Sequence, residues 1–142
     1  MNRMAFLIVL IATISTFGQQ RIPLIEEFSA STCPPCKTFN DNVFNPFLNT
    51  ANLQGKYTVV NYRANWPGSG DPYYTAEAGS RISYYAVNAV PSCFIDGKTA
   101  STGGALSSFT STFTTRASTA PKASISAQYQ ITGATVSAGK VK

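Results

Sequence analysis

The sequence predicts an α/β domain followed by a β-rich tail. Short runs of β-branched and aromatic residues alternate with stretches in which apolar residues recur every three or four positions, and this alternation stops near residue 120. The predicted element order is β, α, β, α, β, β, α. With 142 residues and 44% hydrophobic content, the chain is long enough for one domain with a real core.

The first half of the domain is predicted to contain two strands joined by a helix. Residues 23–28 have the composition of a short strand. A helix then begins at the Cys-x-x-Cys stretch, because Pro34 suits the first helical position and apolar residues follow with helical spacing. Pro46 interrupts that spacing, so we expect the helix to end or kink near Phe44. Residues 56–61 have the content of a buried strand.

The second half begins after a loop, residues 63–74, that is rich in Pro, Gly and Asp. Residues 75–87 have helical spacing. Residues 92–101 are predicted to form a β-hairpin, since Asp96-Gly97 is one of the strongest hairpin turn signals. Apolar residues three and four apart then predict a last amphipathic helix over residues 105–116.

The tail, residues 121–142, alternates apolar and polar residues in two runs separated by a Gly-containing turn. Two strands do not make an independent domain. They form either a β-hairpin packed on the main domain or the start of a β-sandwich module. Because the pattern stops midway at Lys142, we expect a truncated all-β module, which leaves residues 19–120 as the α/β domain.

Residues 1–18 have the pattern of a secretory signal peptide. Arg3 precedes an apolar run from Met4 to Ile14, and small residues precede a cleavage site after Gly18. A membrane anchor is the alternative, but the run is shorter than the about 20 apolar residues that span a bilayer. We therefore expect cleavage, no stable membrane span afterwards, and a secreted protein that works outside the reducing cytosol.

Charge and composition exclude several classes of function. The net charge of +5 is scattered along the chain without a basic stripe, so we expect no nucleic-acid partner. The chain has no histidine, the commonest general base and the commonest metal ligand. Hydrolases that depend on a Cys-His or Ser-His pair are therefore excluded.

Cys33 and Cys36 are the candidate catalytic residues. A thiol at a helix N-terminus faces unpaired N–H groups and the positive end of the helix dipole, which stabilise its thiolate. Cys33 is therefore expected to be the exposed attacking sulfur, and Cys36, one turn into the helix, the resolving thiol. Pro34 and Pro35 make the turn rigid and remove two N–H donors.

The cysteines have two other possible roles, as metal ligands or as a structural disulfide. A closed zinc site needs four ligands, and Cys33, Cys36 and Cys93 supply three, so we expect no metal and no other cofactor. The alternative that Cys33 and Cys36 form an inert structural disulfide is not excluded. Two prolines in an exposed turn are, however, unusual for a disulfide that only stabilises the fold. Cys93 is expected to be buried as a small hydrophobe, with a third redox thiol or an intermolecular bridge as the alternative.

The order of motifs resembles that of the thioredoxin family. It consists of a strand, a Cys-x-x-Cys at a helix start, a Val-Pro before a hairpin and a closing helix. The resemblance covers Leu24 to about Arg116. It implies a thioredoxin-like central mixed sheet flanked by helices. It also implies exchange with protein thiols or disulfides through a mixed disulfide, and a redox partner that recycles the dithiol.

The resemblance also assigns roles upstream of the cysteines. Thioredoxins have Asp-Phe-x-Ala-x-Trp ahead of the first Cys, where this chain has Glu-Phe-Ser-Ala-Ser-Thr at residues 27–32. Glu27 then corresponds to the buried acid that moves the proton of the second Cys. An ordinary exposed strand carboxylate is the alternative, and Glu26 is expected to be one. Thr32 replaces the family's Trp.

Val90-Pro91 is similar to the family's cis-proline step. In the family this segment lies against the Cys pair and pairs with substrate as an added strand, so Pro91 joins the catalytic residues and Val90 the substrate-binding ones. Pro34, Pro35 and Trp66 complete the predicted substrate-binding set. For Trp66, an apolar rim that receives extended clients is weighed against simple loop packing.

Two subfamilies share parts of the pattern. Cys-Pro-Pro-Cys resembles periplasmic thioredoxin-like reductases that serve cytochrome maturation. The loop from Trp66 to Tyr73, with Arg81 and Val90-Pro91, is similar to thioredoxin-like domains of outer-membrane-associated bacterial proteins. The implied location is periplasmic or outer-membrane-associated.

The expected function is that of an enzyme, a protein thiol–disulfide oxidoreductase. A binding module or envelope-associated protein, with the same fold and a passive disulfide, is the alternative.

Overall fold

The structure is a computed structural model that describes residues 21–123, 127–132 and 135–141. The predicted signal peptide lies outside these residues. The elements are β1 (Leu24–Ser29), α1 (Pro34–Phe39), a π-helical segment (Asn40–Phe44), α2 (Asn45–Leu48), a 3₁₀ turn (Ala51–Leu53), β2 (Thr58–Arg63), α3 (Ala76–Tyr84), β3 (Ser92–Ile95), β4 (Lys98–Ala100), α4 (Leu106–Ala117), β5 (Ala127–Thr132) and β6 (Thr135–Val141). The fold is mixed α/β, as predicted.

The main sheet has four strands in the order β2-β1-β3-β4. β1 is parallel to β2, because the helical segments between them carry the chain back across the sheet. β3 runs antiparallel to β1, and β4 to β3. The β3–β4 turn is made by Asp96 and Gly97 with φ of 50° and 74°, as a tight primed hairpin turn requires.

The two faces of β1 enter two separate apolar clusters, since successive strand residues point to opposite faces. Ile25 belongs to a cluster rich in phenylalanine, in which the Phe47 and Phe109 rings meet edge to face at 5.1 Å. Phe28 belongs to the other cluster, with partners from α3. Cys33 and Cys36 also belong to this second cluster.

The helical segments that start at Pro34 continue to Leu48, so the helix does not end near Phe44, although its geometry changes there. It changes from α to π geometry at Asn40 and returns to α at Asn45, whose N–H donates to the Asn40 carbonyl. The wider turn directly precedes Pro46, whose ring would otherwise clash with a carbonyl of the preceding turn.

β2 covers Thr58–Arg63, two residues later than predicted. Its parallel register with β1 places Leu24 opposite Thr58 and Ser29 opposite Arg63. The strand therefore extends as far as β1 can pair with it.

In the tail, β5 and β6 pair antiparallel as a separate two-stranded sheet. The choice between a packed hairpin and the start of a β-sandwich module stays a prediction. No helix within the described ranges is long and apolar enough to cross a membrane.

Candidate functional site

The Cys33–Cys36 pair lies just beyond the carboxyl end of β1, at the start of α1. Cys33 is the helix N-cap, with extended backbone angles, and its N–H donates to the Ala30 carbonyl at 3.2 Å. The two cysteines form a disulfide with a Cα–Cα distance of 5.3 Å. The predicted position of Cys33 as N-cap is confirmed.

One backbone N–H of the first helical turn points at the Cys33 sulfur. The Cys36 N–H lies 3.1 Å from Cys33 Sγ. Pro34 and Pro35 occupy the first two helical positions and have no N–H to offer. The sulfur of Cys33 therefore receives one donor where an ordinary N-terminal turn offers more.

The Val90 carbonyl lies against the same sulfur. Its oxygen is 3.5 Å from Cys33 Sγ. A disulfide sulfur carries no proton, so this is a contact in the oxidised protein and becomes a possible hydrogen bond once Cys33 is a thiol. The Val90–Pro91 peptide bond is cis, the isomer that the resemblance implied.

Neither cysteine of the pair is exposed, which corrects the expectation that Cys33 is an open nucleophile. The relative exposure of Cys33 is 3% and that of Cys36 is 2%. Trp66 and Val90, both partly buried, pack against the apolar cluster that contains the pair. The sequence indicates that Cys33 lies at a helix start. It does not indicate that segments distant in sequence bury the sulfur.

A groove of about 600 Å³ runs beside the disulfide, between α1 and the loop after β4. Its lining residues are Pro34, Pro35, Thr38, Phe39, Asn42, Val43, Pro91, Thr102, Gly103 and Gly104. Three predicted site residues, the prolines, thus meet in one groove. Thr102 Oγ1 donates to the Pro91 carbonyl at 3.0 Å and so joins two of the lining residues.

Thr102, Gly103 and Gly104 line the groove but are not among the predicted site residues. Thr102 follows Pro91 by eleven residues, and this spacing gives no signal by itself, because only the pairing of β3 with β4 brings the two segments together.

Trp66 does not line this groove. It lies in a loop that is fastened to the turn before Cys33, where Thr32 Oγ1 donates to the Pro67 carbonyl at 2.7 Å. Asp71 accepts from the Ser31 N–H at 2.7 Å and the Tyr73 N–H at 2.9 Å. Burial alone would raise the pKa of Asp71, but these hydrogen bonds lower it below its ordinary value. The substrate-binding role of Trp66 stays a prediction.

Glu27 is fully buried on β1, with 0% exposure. Asn61, opposite it on β2, donates to Oε2. Oε1 has no hydrogen-bond partner among the described residues. Burial raises the pKa of Glu27, and the nearby Arg63 and polar side chains offset this only in part.

Glu26 is not the ordinary exposed carboxylate that the sequence suggested, because its exposure is 1%. Arg81 on α3 binds it with two nitrogens, at 2.6 Å and 3.1 Å, and the Tyr85 hydroxyl donates to it at 2.6 Å. Burial would raise the pKa of Glu26, but these bonds outweigh it and lower the pKa. Glu26 and Glu27, neighbours in sequence, thus have opposite environments.

Cys93 is a free, fully buried thiol on β3, as expected. It lies opposite Glu27 in the strand ladder. Burial, with the Glu27 charge as a smaller cause, raises the pKa of Cys93 far above its ordinary value. In the part of the chain that the structure describes, no three His, Cys, Asp or Glu side chains come together as metal ligands.

Comparisons of the chain with models of known families, with curated proteins and with solved structures gave no match.

Proposed function

We propose that the chain is a thioredoxin-like protein thiol–disulfide oxidoreductase whose working dithiol is Cys33 and Cys36. The observation that carries the proposal is the disulfide across the first turn of α1, with the Cys36 N–H and the Val90 carbonyl both beside the Cys33 sulfur. The mixed sheet order β2-β1-β3-β4 supports the thioredoxin-like fold.

Reduced Cys33 is the attacking thiolate in this proposal. Its position at the helix N-cap gives it the positive end of the helix dipole and the Cys36 N–H, both of which favour a negative sulfur. The thiolate attacks one sulfur of a substrate disulfide. A Cys33–substrate disulfide forms, and the other substrate sulfur leaves as a thiolate that takes a proton from water.

Cys36 then resolves the mixed disulfide. Its thiol loses a proton and attacks the Cys33 sulfur, so the Cys33–Cys36 disulfide forms and the substrate leaves as a thiolate. Glu27 is the proposed acceptor of the Cys36 proton, because a buried carboxyl with a raised pKa exchanges protons closer to neutral pH than an exposed one. Run in reverse, the same steps oxidise a substrate dithiol.

The proposed substrate is an extended protein segment lying in the groove beside the disulfide. Pro34, Pro35 and Pro91 all line that groove. Pro91 has no N–H to compete for sulfur or substrate, and the preceding Val90 carbonyl can accept from a substrate N–H in the manner of strand addition. Pairing through backbone atoms suits clients of varied sequence.

The cofactor requirement, the recycling partner and the location follow from thiol–disulfide exchange. No cofactor is required, because the electrons pass between sulfurs. A second redox protein must recycle the dithiol after each turnover. A disulfide that cycles needs an oxidising compartment, so the proposed location is outside the cytosol, periplasmic or outer-membrane-associated.

An insulin-reduction assay with dithiothreitol tests the proposal. The parent protein and Cys93→Ala are expected to accelerate insulin precipitation, whereas Cys33→Ser is expected to fall to the rate of dithiothreitol alone. Cys93→Ala is the matched control, since it removes a cysteine outside the pair.

Equal rates for the parent and Cys33→Ser would contradict the proposal. They would favour a binding module with a passive disulfide.

A further inference from the structure

The loop that joins β2 to α3, residues 64–75, is fastened to the turn between β1 and α1 by two hydrogen bonds (the loop ties). In the first, an Asp71 carboxylate oxygen accepts from the Ser31 N–H at 2.7 Å. In the second, Thr32 Oγ1 donates to the Pro67 carbonyl at 2.7 Å. The ties join residues that are 40 and 35 positions apart in sequence. The loop is therefore docked on the turn that leads directly into the first cysteine.

The loop is held in shape by its own backbone. The Asp71 N–H donates to the Ala64 carbonyl at 3.0 Å, and the Gly70 N–H donates to the Pro67 carbonyl at 3.1 Å. Gly70 has a φ of 78°, and a Cβ there would lie 2.6 Å from the Asn65 backbone, so this turn requires glycine. Because both ties end on this hydrogen-bonded segment, they dock the loop as a unit.

The loop carries Trp66, the single tryptophan of the chain. Trp66 is partly buried and packs against the apolar cluster that contains Cys33 and Cys36. The tied turn is exposed at Ser31 and Thr32, whereas Cys33, the next residue, is only 3% exposed. Undocking of the loop would withdraw the Trp66 ring from the cluster around the disulfide.

The two ties differ in chemistry. The second Asp71 oxygen accepts from the Tyr73 N–H at 2.9 Å, so the carboxylate bridges the turn and its own loop. Hydrogen bonds to an ionised acceptor are stronger than neutral ones. An amide at position 71 has one acceptor oxygen and can serve only one of the two N–H groups. The Thr32 tie is neutral and depends on the side-chain hydroxyl alone.

We propose that Asp71 and Thr32 are positioning residues that hold Trp66 in the cluster around the Cys33–Cys36 disulfide and so set how readily a thiolate reaches it. The inference rests on the proposed function, in which a substrate or recycling thiolate attacks this disulfide. In that step a bond forms between the incoming sulfur and one cysteine, the Cys33–Cys36 bond breaks, and the other cysteine leaves as a thiolate. Asp71 and Thr32 take no part in this bond exchange.

The rate at which dithiothreitol reduces the disulfide measures this access. Thr32→Val removes the hydroxyl with little change in size and none in charge, and Asp71→Asn removes one acceptor oxygen. Each is expected to raise the second-order rate constant by about fivefold, because an opening equilibrium shifts by about that factor when one hydrogen bond is lost. Trapping of free thiols at timed intervals, followed by mass spectrometry, gives the rate.

Two matched controls separate the ties from other effects of substitution. Thr32→Ser keeps the hydroxyl and is expected to react at the parent rate. Asp41→Asn removes an exposed carboxylate that pairs with Lys37, without touching the loop, and is also expected to react at the parent rate. It shows whether the loss of one negative charge is enough to admit the dithiothreitol thiolate.

Fluorescence of Trp66 reports the docking of the loop itself, because a disulfide quenches the emission of an indole close to it. The emission of the parent protein is expected to rise when the disulfide is reduced. The rise is expected to be smaller in Thr32→Val and Asp71→Asn and to keep its parent size in Thr32→Ser.

Parent-like reduction rates in folded Thr32→Val and Asp71→Asn would overturn the inference. So would raised rates with a Trp66 emission change of parent size, since access would then not depend on the loop. Thr32 is exposed, so Thr32→Val decides the inference even where Asp71→Asn fails to fold. A parent protein inactive toward insulin would instead contradict the proposed function, and the dithiothreitol rates would still decide the role of the loop ties.

Discussion

The stability of the Cys33 thiolate depends on how many backbone N–H groups reach the sulfur. The side chain of a helix N-cap normally accepts from the N–H of the second or third helical residue. In α1 the second residue is Pro35 and the third is Cys36, and only the latter donates, at 3.1 Å. The Cys33 thiolate is therefore stabilised less than it would be at the start of a helix whose second residue has an N–H.

Replacing Pro35 by Ala is expected to lower the pKa of Cys33 by about one unit, because a second N–H then points at the sulfur. The pH dependence of iodoacetamide alkylation of Cys33 in the reduced protein measures it. Pro34→Ala is the matched control, since an N–H at the first helical position does not reach the capping side chain. Equal shifts in the two variants, or none in Pro35→Ala, would refute this explanation.

At the scale of the element, β1 places two adjacent carboxylates on opposite faces of the sheet. Glu26 meets a cation and a hydroxyl from α3, whereas Glu27 meets polar groups from β2 and the π-helical segment. Burial is common to both, yet the pKa of Glu26 is lowered and that of Glu27 is raised. What faces the strand on each side decides which carboxyl serves stability and which can exchange a proton.

Arg81→Met is expected to lower the free energy of unfolding at pH 7 by more than the loss of an exposed ion pair does, because Glu26 is left buried without its cation. The lowered pKa of Glu26 means that its contribution is present above the unfolded value near 4.5 and is lost as pH falls through the folded pKa. The cost of the substitution should therefore shrink at pH 3. Urea unfolding at the two pH values measures it.

Lys37→Met is the control for this comparison. It breaks an exposed helical ion pair with Asp41, and exposed pairs contribute about 0–1 kcal/mol. A similar loss for both variants, or an Arg81→Met cost independent of pH, would show that the Glu26–Arg81 pair is not what stabilises β1 against α3.

At the scale of the whole molecule, features set by local chemistry could be predicted from the sequence. Proline at the first helical position placed the helix start and hence the cap at Cys33. Asp96-Gly97 placed the β3–β4 hairpin. Both predictions are correct because the residues within a turn or a cap determine its conformation.

Features set by tertiary contacts could not be predicted in the same way. Glu26 and Arg81 are 55 residues apart, and β1 is buried on both faces, so no alternation of polar and apolar residues marks where Glu26 points. The contact of Thr102 with Pro91 in the wall of the groove likewise depends on how distant segments meet. The burial of Cys33 was missed for the same reason.

The central claim is that the Cys33–Cys36 disulfide is a working couple and not a structural staple. Its reduction potential, measured by equilibrating the protein in dithiothreitol buffers and trapping free thiols for mass spectrometry, tests this most directly. A passive structural disulfide resists reduction, with a potential below about −300 mV. The account predicts a potential more positive than about −300 mV, and a value below that would contradict it.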